Sequence, residues 1–306
     1  MAEKKKYNYG GQAVIEGVMI RGRSSAVTAV RRPNGEIALD IKPLPSVYTS
    51  WPRRTPFIRG VVVLIEAMVL GVNSLLHSAN ISMEEEVEEI PKKAIWGMMA
   101  ISAILVIALF FVAPLFLTKL INTHLHSTIL FNVVEGVIRI AIFIGYLKVI
   151  GMMSDVKRVF SYHGAEHKTV NAYEAGVPME VNAIKNYSRA HVRCGTSFLF
   201  LVLIIAIIVF TFVGRHNLWL MVGSRIVLIP VIMSLGYEVI YFGARHTKNW
   251  FVKIILAPGL WLQSMTTAEP DDKMLEVAIA AINKAVEIDL GEEVARAAPT
   301  GLPSAS

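Results

Sequence analysis

Residues 94–120 read AIWGMMAISAILVIALFFVAPLFLTKL, and no charged side chain interrupts them before Lys119. A bilayer core about 30 Å thick is crossed by ~20 apolar residues at a helical rise of about 1.5 Å each. This run therefore predicts a transmembrane helix. Stretches 128–153, 197–213 and 218–243 have the same character; the third is short but almost purely aliphatic and aromatic. Composition agrees, with 54% hydrophobic and only 18% charged residues in 306, against about 25% charged in ordinary soluble domains. The expected fold class is an α-helical polytopic membrane protein with four transmembrane helices, embedded in a lipid bilayer.

Basic residues orient the spans. Lys92 and Lys93 precede the first, and Arg245, Lys248 and Lys253 follow the fourth. Segment 154–196 carries Lys157, Arg158, Lys168, Lys185, Arg189 and Arg193, whereas the opposite loops hold only Lys119 and Arg215. The positive-inside rule places both termini and segment 154–196 in the cytoplasm, in a multi-pass plasma-membrane protein. The start MAEKKKYNYGG has no apolar core behind its basic residues, so no cleavable signal is expected. The net charge of +6 is modest and no basic-aromatic module accompanies it, so nucleic acid is not an expected partner. Cys194 is the single cysteine, which excludes an intrachain disulfide.

Two shorter apolar stretches flank the spans. Stretch 61–72 is interrupted by Glu66, and 254–265 is broken by Pro258-Gly259. Runs of this length are expected to be interfacial or re-entrant helices. In 1–56 a small β-containing cytoplasmic segment is expected. Alternating runs 26–31 and 36–41 flank Pro33-Asn34-Gly35, a hairpin signal, and Pro43, Pro45, Pro52 and Pro56 make a stiff linker. Segment 57–93 holds the first interfacial helix and a linker with a short acidic helix at 82–89. Spans one and two occupy 94–153, the His-rich loop 154–196, and spans three and four 197–243. Segment 244–290 holds the re-entrant stretch and an amphipathic helix with Leu275, Ile279, Ile282 and Val286 on one face. The Ala-, Pro- and Ser-rich tail 291–306 is expected to be disordered. There is no internal repeat of the kind transporters show.

The His-rich loop carries the chemistry. His163-Gly-Ala-Glu-His167 matches H-x-x-E-H. On a helix, positions i and i+4 share a face, so both imidazoles can meet one cation. Glu166 stands ~60° aside, where a general base near zinc-activated water belongs. Residues 166–173 contain no helix breaker and Gly176 supplies a stop. Glu174 lies ~10 Å along the axis from His167, too far to share a metal with the pair. A second group, His191-Val-Arg-Cys194, ends the same loop and adds two further ligand types. The alternative for both groups is a set of satisfied polar residues packing a cytoplasmic subdomain.

A third stretch, GGQAVIEGVMIRG at 10–22, reads as a Gly-punctuated strand with Glu16 and Arg21 as its polar members. In a functional reading Glu16 enters the histidine site as ligand or base, and Arg21 binds an anionic substrate group. Within the spans, Glu135 and Arg139 are four apart, and Arg225 and Glu238 lie in the fourth. Charges at membrane depth face a bundle interior or a wet cavity. Glu135 and Arg139 either pair within their helix or line a substrate path.

GGQAVIEGVMIRG, YHGAEHKTVNAYE and HVRCGTSF together resemble the YqhQ-like family of bacterial membrane proteins, from about Gly10 to the C-terminal helix. Members of that family are labelled predicted metal-dependent enzymes of unknown function. The resemblance implies a bacterial inner-membrane fold and one site shared by Glu16, His163, Glu166, His167, His191 and Cys194.

Two functions remain open from sequence. One is a metal-dependent, zinc-using hydrolase at the cytoplasmic face, acting on a lipid-linked or membrane-embedded substrate. His163, His167, His191 and Cys194 would hold a divalent metal, Glu166 or Glu16 would act as base, and Arg21, Glu135 and Arg139 would contact substrate. The other is a non-enzymatic assembly factor or scaffold for other membrane proteins, with a transporter a weaker variant that would need a homo-oligomer.

Overall fold

A computed structural model describes residues 7–83, 91–121, 127–213 and 218–297. Its first elements are four antiparallel strands, β1 (Gly10–Val14), β2 (Gly17–Arg21), β3 (Ser25–Arg31) and β4 (Ile37–Pro43), in the order β1-β2-β3-β4. The anticipated hairpin is β3–β4, with Ser25 opposite Pro43 and Gly35 in its turn at φ +91°. The stretch expected as a single strand is two, folded at Ile15–Glu16. Glu16 takes φ +52° there. Gly17 follows because a Cβ at that position would lie 2.2 Å from the Ala29 carbonyl oxygen.

The helices follow in chain order: α1 (Ile58–Ser82), α2 (Lys92–Ile107), α3 (Ala113–Leu120), α4 (Thr128–Ile150), α5 (Ser154–Ala175), the single turn α6 (Val181–Ile184), α7 (Gly195–Val213), α8 (Leu218–Val227), α9 (Ile229–Arg245), α10 (Trp250–Thr266) and α11 (Asp272–Ala297). A π-turn at Ala108–Val112 joins α2 to α3.

Strand alternation sorts the sheet into two faces. Val18, Ile20, Val27 and Ala29 pack on α5 and α11 through Tyr162, Ala165, Leu275 and Ile282. Val14, Met19, Ala26 and Val30 point the other way, onto Leu70 and Ile81 of α1. The result is three layers, with α5 and α11 on one side of the sheet and α1 on the other. The amphipathic helix at 275–286 docks here as its apolar spacing predicts. It extends further than expected, to Ala297, so the tail does not begin at 291. Residues 298–306 and most of the acidic 82–89 stretch lie outside the described residues.

Among the described residues four stretches are long and apolar enough to cross a membrane by length and composition: Ile58–Ser82, Lys93–Leu120, Gly195–Val213 and Trp219–Arg245; the expected second span, 128–153, forms α4 but is not one of the four, and Ile58–Ser82 takes its place in the count. The stretch 61–72 was expected as a short interfacial piece, yet it is the middle of the 25-residue α1. Glu66 does not interrupt that helix because its carboxylate turns onto the sheet side and pairs with Arg21 and Arg53. Further along the same face, Ser74 bonds Thr28 and Ser78 accepts from the Ile15 amide. The opposite face of α1 exposes Ile65, Met68, Val69 and Leu75. In α10, Pro258 sits inside a continuous 17-residue helix, so the expected break at Pro258-Gly259 does not occur. Gly259 instead lets α10 press on α7, since a Cβ there would stand 2.9 Å from Ser197 Cβ.

Helix α4 packs against α3 and α7 and carries the buried charges. Glu135 pairs with Arg139 on its own helix and with Arg225 of α8, all three nearly inaccessible. Arg139 also donates through Nε to the Phe110 carbonyl at 2.9 Å. That carbonyl lies four residues before Pro114, which has no N–H to offer it. Pro114 thus frees an acceptor, and a buried guanidinium fills it. The expected substrate-lining role of Glu135 and Arg139 is not supported, because each is engaged inside the bundle rather than at a cavity.

Candidate functional site

Helix α5 begins at Ser154, well before the 166–173 core expected from sequence, and ends at Gly176 in the left-handed region at φ +78°. His163 and His167 fall on one face with ring centroids 4.3 Å apart. Gly164 lies mid-helix, where a Cβ would meet the Ala268 carbonyl oxygen at 2.2 Å. The chain leaving α10 can therefore run directly against the histidine helix.

The two imidazoles are held alike. His163 Nδ1 contacts the Thr266 carbonyl oxygen at 2.8 Å, and His167 Nδ1 contacts that of Arg189. A carbonyl only accepts, so Nδ1 carries the proton in each ring and Nε2 is left with its lone pair. His163 Nε2 lies 3.3 Å from the Cys194 sulfur. The ligand atoms of His163, His167 and Cys194 all fall within 4.8 Å of one another. Glu166 is buried beside them, with Oε2 3.5 Å from His167 Nε2. Gly11 of β1 makes room for it, since a Cβ there would sit 2.9 Å from Glu166 Cγ.

Cys194 immediately precedes α7. Burial opposes its ionisation, but the neighbouring His167 ring and Thr196 outweigh that and hold the thiol below its ordinary range. The turn leading to it is clamped by Gln263 of α10. Gln263 Oε1 accepts from the His191 amide at 2.8 Å, and its Nε2 donates to the His191 carbonyl at 2.8 Å and to Ser197 Oγ at 2.6 Å.

His191 stands at the edge of this group. Its ring centroid is 5.6 Å from that of His167, and its Nε2 is 3.7 Å from Glu174 Oε2. Burial holds its pKa below the ordinary histidine value. The close group of three potential ligands therefore does not include His191, which the sequence had placed with them. Glu174, set aside on grounds of helical rise, does stay away from His163 and His167, pairing with Arg193 as well as approaching His191.

Other expected members lie elsewhere. The Glu16 carboxylate binds the Arg158 guanidinium with both oxygens and receives the Tyr162 hydroxyl at 3.2 Å. It ties the β1–β2 turn to two side chains on α5 instead of entering the histidine site. Arg21 is consumed by Glu66, Tyr7 and the carbonyls of Gly22 and Tyr48, which leaves it no role toward a substrate anion. Sequence reading missed Gln263 and Thr266. The only local hint was the polar ending QSMTT of an otherwise apolar stretch.

Two imidazole nitrogens and one thiolate suit zinc, for which Zn–N is about 2.0 Å and Zn–S about 2.3 Å. Tetrahedral ligand atoms would then be ~3.3–3.8 Å apart, against a group whose ligand atoms lie within 4.8 Å of one another. Nδ1–H bonds to carbonyls are the outer contacts that orient metal-binding histidines.

Residues 55–288 match the model of a family described as "Protein of unknown function (DUF1385)". Over 297 residues the chain is 35% identical to the "Uncharacterized protein YqhQ" of Bacillus subtilis (strain 168), covering 92% of this chain and 93% of that protein. No solved structure matches.

Proposed function

The chain belongs to the DUF1385 family, and from the site geometry we propose that it is a zinc-dependent hydrolase working at the cytoplasmic face of the plasma membrane. One observation carries this reading: both histidines commit Nδ1 to backbone carbonyls, so that two Nε2 lone pairs and one sulfur converge. His163, His167 and Cys194 would hold the ion, and a set of three protein ligands is the number catalytic zinc sites use. A zinc ion held there would supply Lewis acidity toward an acyl carbonyl and water. Glu166 takes the proton from the attacking water and returns it to the leaving group. The substrate is amphiphilic and arrives from the bilayer, because Cys194 sits at the end of a helix of span length.

Purified protein should contain about one zinc per chain, lost in both His163→Ala and His167→Ala. A metal-free preparation that retains a folded, monodisperse state without added chelator would sink the reading.

The Cys194–His163 distance favours a second reading. A thiol at a helix N-terminus, 3.3 Å from an imidazole nitrogen, is also the arrangement of a cysteine nucleophile. Metal-free protein that iodoacetamide modifies at Cys194 stoichiometrically, but not after His163→Ala, would support this instead.

A further inference from the structure

By length and composition α1 is able to cross a membrane, but its contacts describe a different course. Glu66 meets Arg21 at the end of β2, Ser74 bonds Thr28 of β3, and Ser78 accepts from the Ile15 amide just past β1. Between them Gly71 sits on Gln12 of β1, where a Cβ would stand 2.4 Å from the side-chain oxygen. Arg21 pairs with Gly10 and Gln12 with Met19, so from Glu66 to Ser78 the helix follows β1 from its first residue to the turn beyond it. It runs along the strands, with the sheet on its back for ~18 Å.

That sheet does not fit in hydrocarbon. Its edge strand β4 carries Asp40 and Lys42, 3.3 Å apart and both partly exposed, and His77 of α1 approaches the same aspartate. The open backbone groups of a strand edge find no partners inside a bilayer. On the sheet's other face α11 turns Glu276 and Glu287 outward. A helix backed by this layer cannot stand upright through the bilayer without drawing the sheet in with it.

Chain order agrees. Strands β1–β4 precede α1 while α5 and α11 follow it, yet all pack together: Glu16 binds Arg158, and Tyr9 donates to Asp289. The number of crossings between Pro43 and Ser154 is therefore even. Stretch Lys93–Leu120 and its packed neighbour α4, 23 residues long, supply two. A crossing by α1 would make three.

The face away from the sheet is apolar. Ile58, Ile65, Met68, Val69 and Leu75 are exposed on it, while Arg59 is engaged by Glu238 and Glu66 by Arg21 and Arg53. At the start of the helix Gly60 presses on Ser234 of α9, part of a stretch of crossing length, so α1 begins at the bilayer. Trp51 and Phe57, both exposed, come just before it, and Trp is enriched where a bilayer meets water.

We infer that α1 lies flat in the leaflet on the sheet's side of the membrane, a docking surface for phospholipid that holds the sheet against the bilayer. Ile65, Met68, Val69 and Leu75 reach about 5–10 Å into the boundary between headgroups and acyl chains. The sheet supplies the polar half that a surface helix otherwise carries itself.

The test uses full-length protein in nanodiscs of phosphatidylglycerol and phosphatidylcholine. Spin labels are placed singly on Ile65→Cys, Met68→Cys and Leu75→Cys in a Cys194→Ser background, and depth is read from relaxation by oxygen against a nickel chelate. Lying flat, the three labels read depths within about 5 Å of one another; upright, positions 65 and 75 differ by ~15 Å. Leu199→Cys and Ile208→Cys on α7 give the ruler, ~14 Å apart in rise. A spread in α1 as large as that in α7 overturns the proposal. So do labels open to the chelate, which place the face in water, and spin–spin broadening, which gives it to a second copy. Should the background or a label prevent folding, the unmodified chain is read with phosphatidylglycerol carrying a diazirine either beside the ester or at the chain end. The ester-side probe should label α1 at least about threefold more than the chain-end probe, with the reverse at Ile208. Chain-end labelling of α1 equal to that of Ile208 overturns the proposal.

Discussion

His163 and Cys194, 31 positions apart in sequence, meet with Nε2 3.3 Å from the sulfur. Each is aimed by a different neighbour: the Thr266 carbonyl fixes the imidazole, and the Gln263 clamp fixes the turn that delivers the thiol. This pairing sets the three proposed ligand residues apart from His191, the fourth that sequence suggested.

His191→Ala should therefore retain zinc within about a factor of ten in affinity, because His191 acts beside the ligands rather than among them. Cys194→Ala should release it. Elemental analysis of the two purified variants, followed by competition with a chromogenic chelator, checks the contrast. Equal loss in both would place His191 in the ligand set.

Gln263→Leu keeps the volume but removes one acceptor and two donor contacts in a buried position. Leaving the His191 amide and carbonyl unpaired should cost about 2–6 kcal/mol, at ~1–3 kcal/mol per buried group. Zinc affinity should fall ~10–100-fold, as for other groups that orient ligands. Chemical denaturation with and without zinc measures both effects.

Within the bundle the carboxylate matters more than either guanidinium. Glu135→Gln leaves Arg139 and Arg225 buried without their shared counter-charge and should destabilise by about 3–5 kcal/mol. Arg139→Leu should cost less, since Glu135 keeps Arg225. Thermal unfolding in detergent, compared between the two variants, tests the order.

Burial depresses the pKa of His191 below 6.5, so the folded chain keeps it neutral where the unfolded chain takes up a proton. Its stabilisation is full above about pH 6.5 and is lost as pH falls below that toward the folded value, with a slope of at most ~1.4 kcal/mol per pH unit. Chelator-treated protein should melt lower at pH 5.5 than at pH 7.5, and His191→Gln should flatten the difference.

The apolar runs, the β3–β4 hairpin and the helical face at Leu275 and Ile282 were legible because each is a local pattern with its own period. His163 and His167 were legible for the same reason. Glu16 and Arg21 were misassigned because their partners, Arg158 and Glu66, come from distant segments, and a lone charge does not announce which opposite charge it will meet. Glu66 misled in the same way, looking like a break in a helix that the sheet in fact stabilises. Gln263 and Thr266 stayed hidden because they act through backbone groups, which carry no sequence signature.

Tyr9 donates to Asp289 at 2.9 Å across 280 positions of chain, and Asp289 also receives the Arg23 amide. The first strands are thus completed by the last helix, while the groups that aim His163 and the Cys194 turn are supplied by α10 just before it. During synthesis the membrane helices emerge first and the ligand cluster is assembled only when translation is nearly over. The residues that aim His163 and the Cys194 turn are thus among the last parts of the chain to be made.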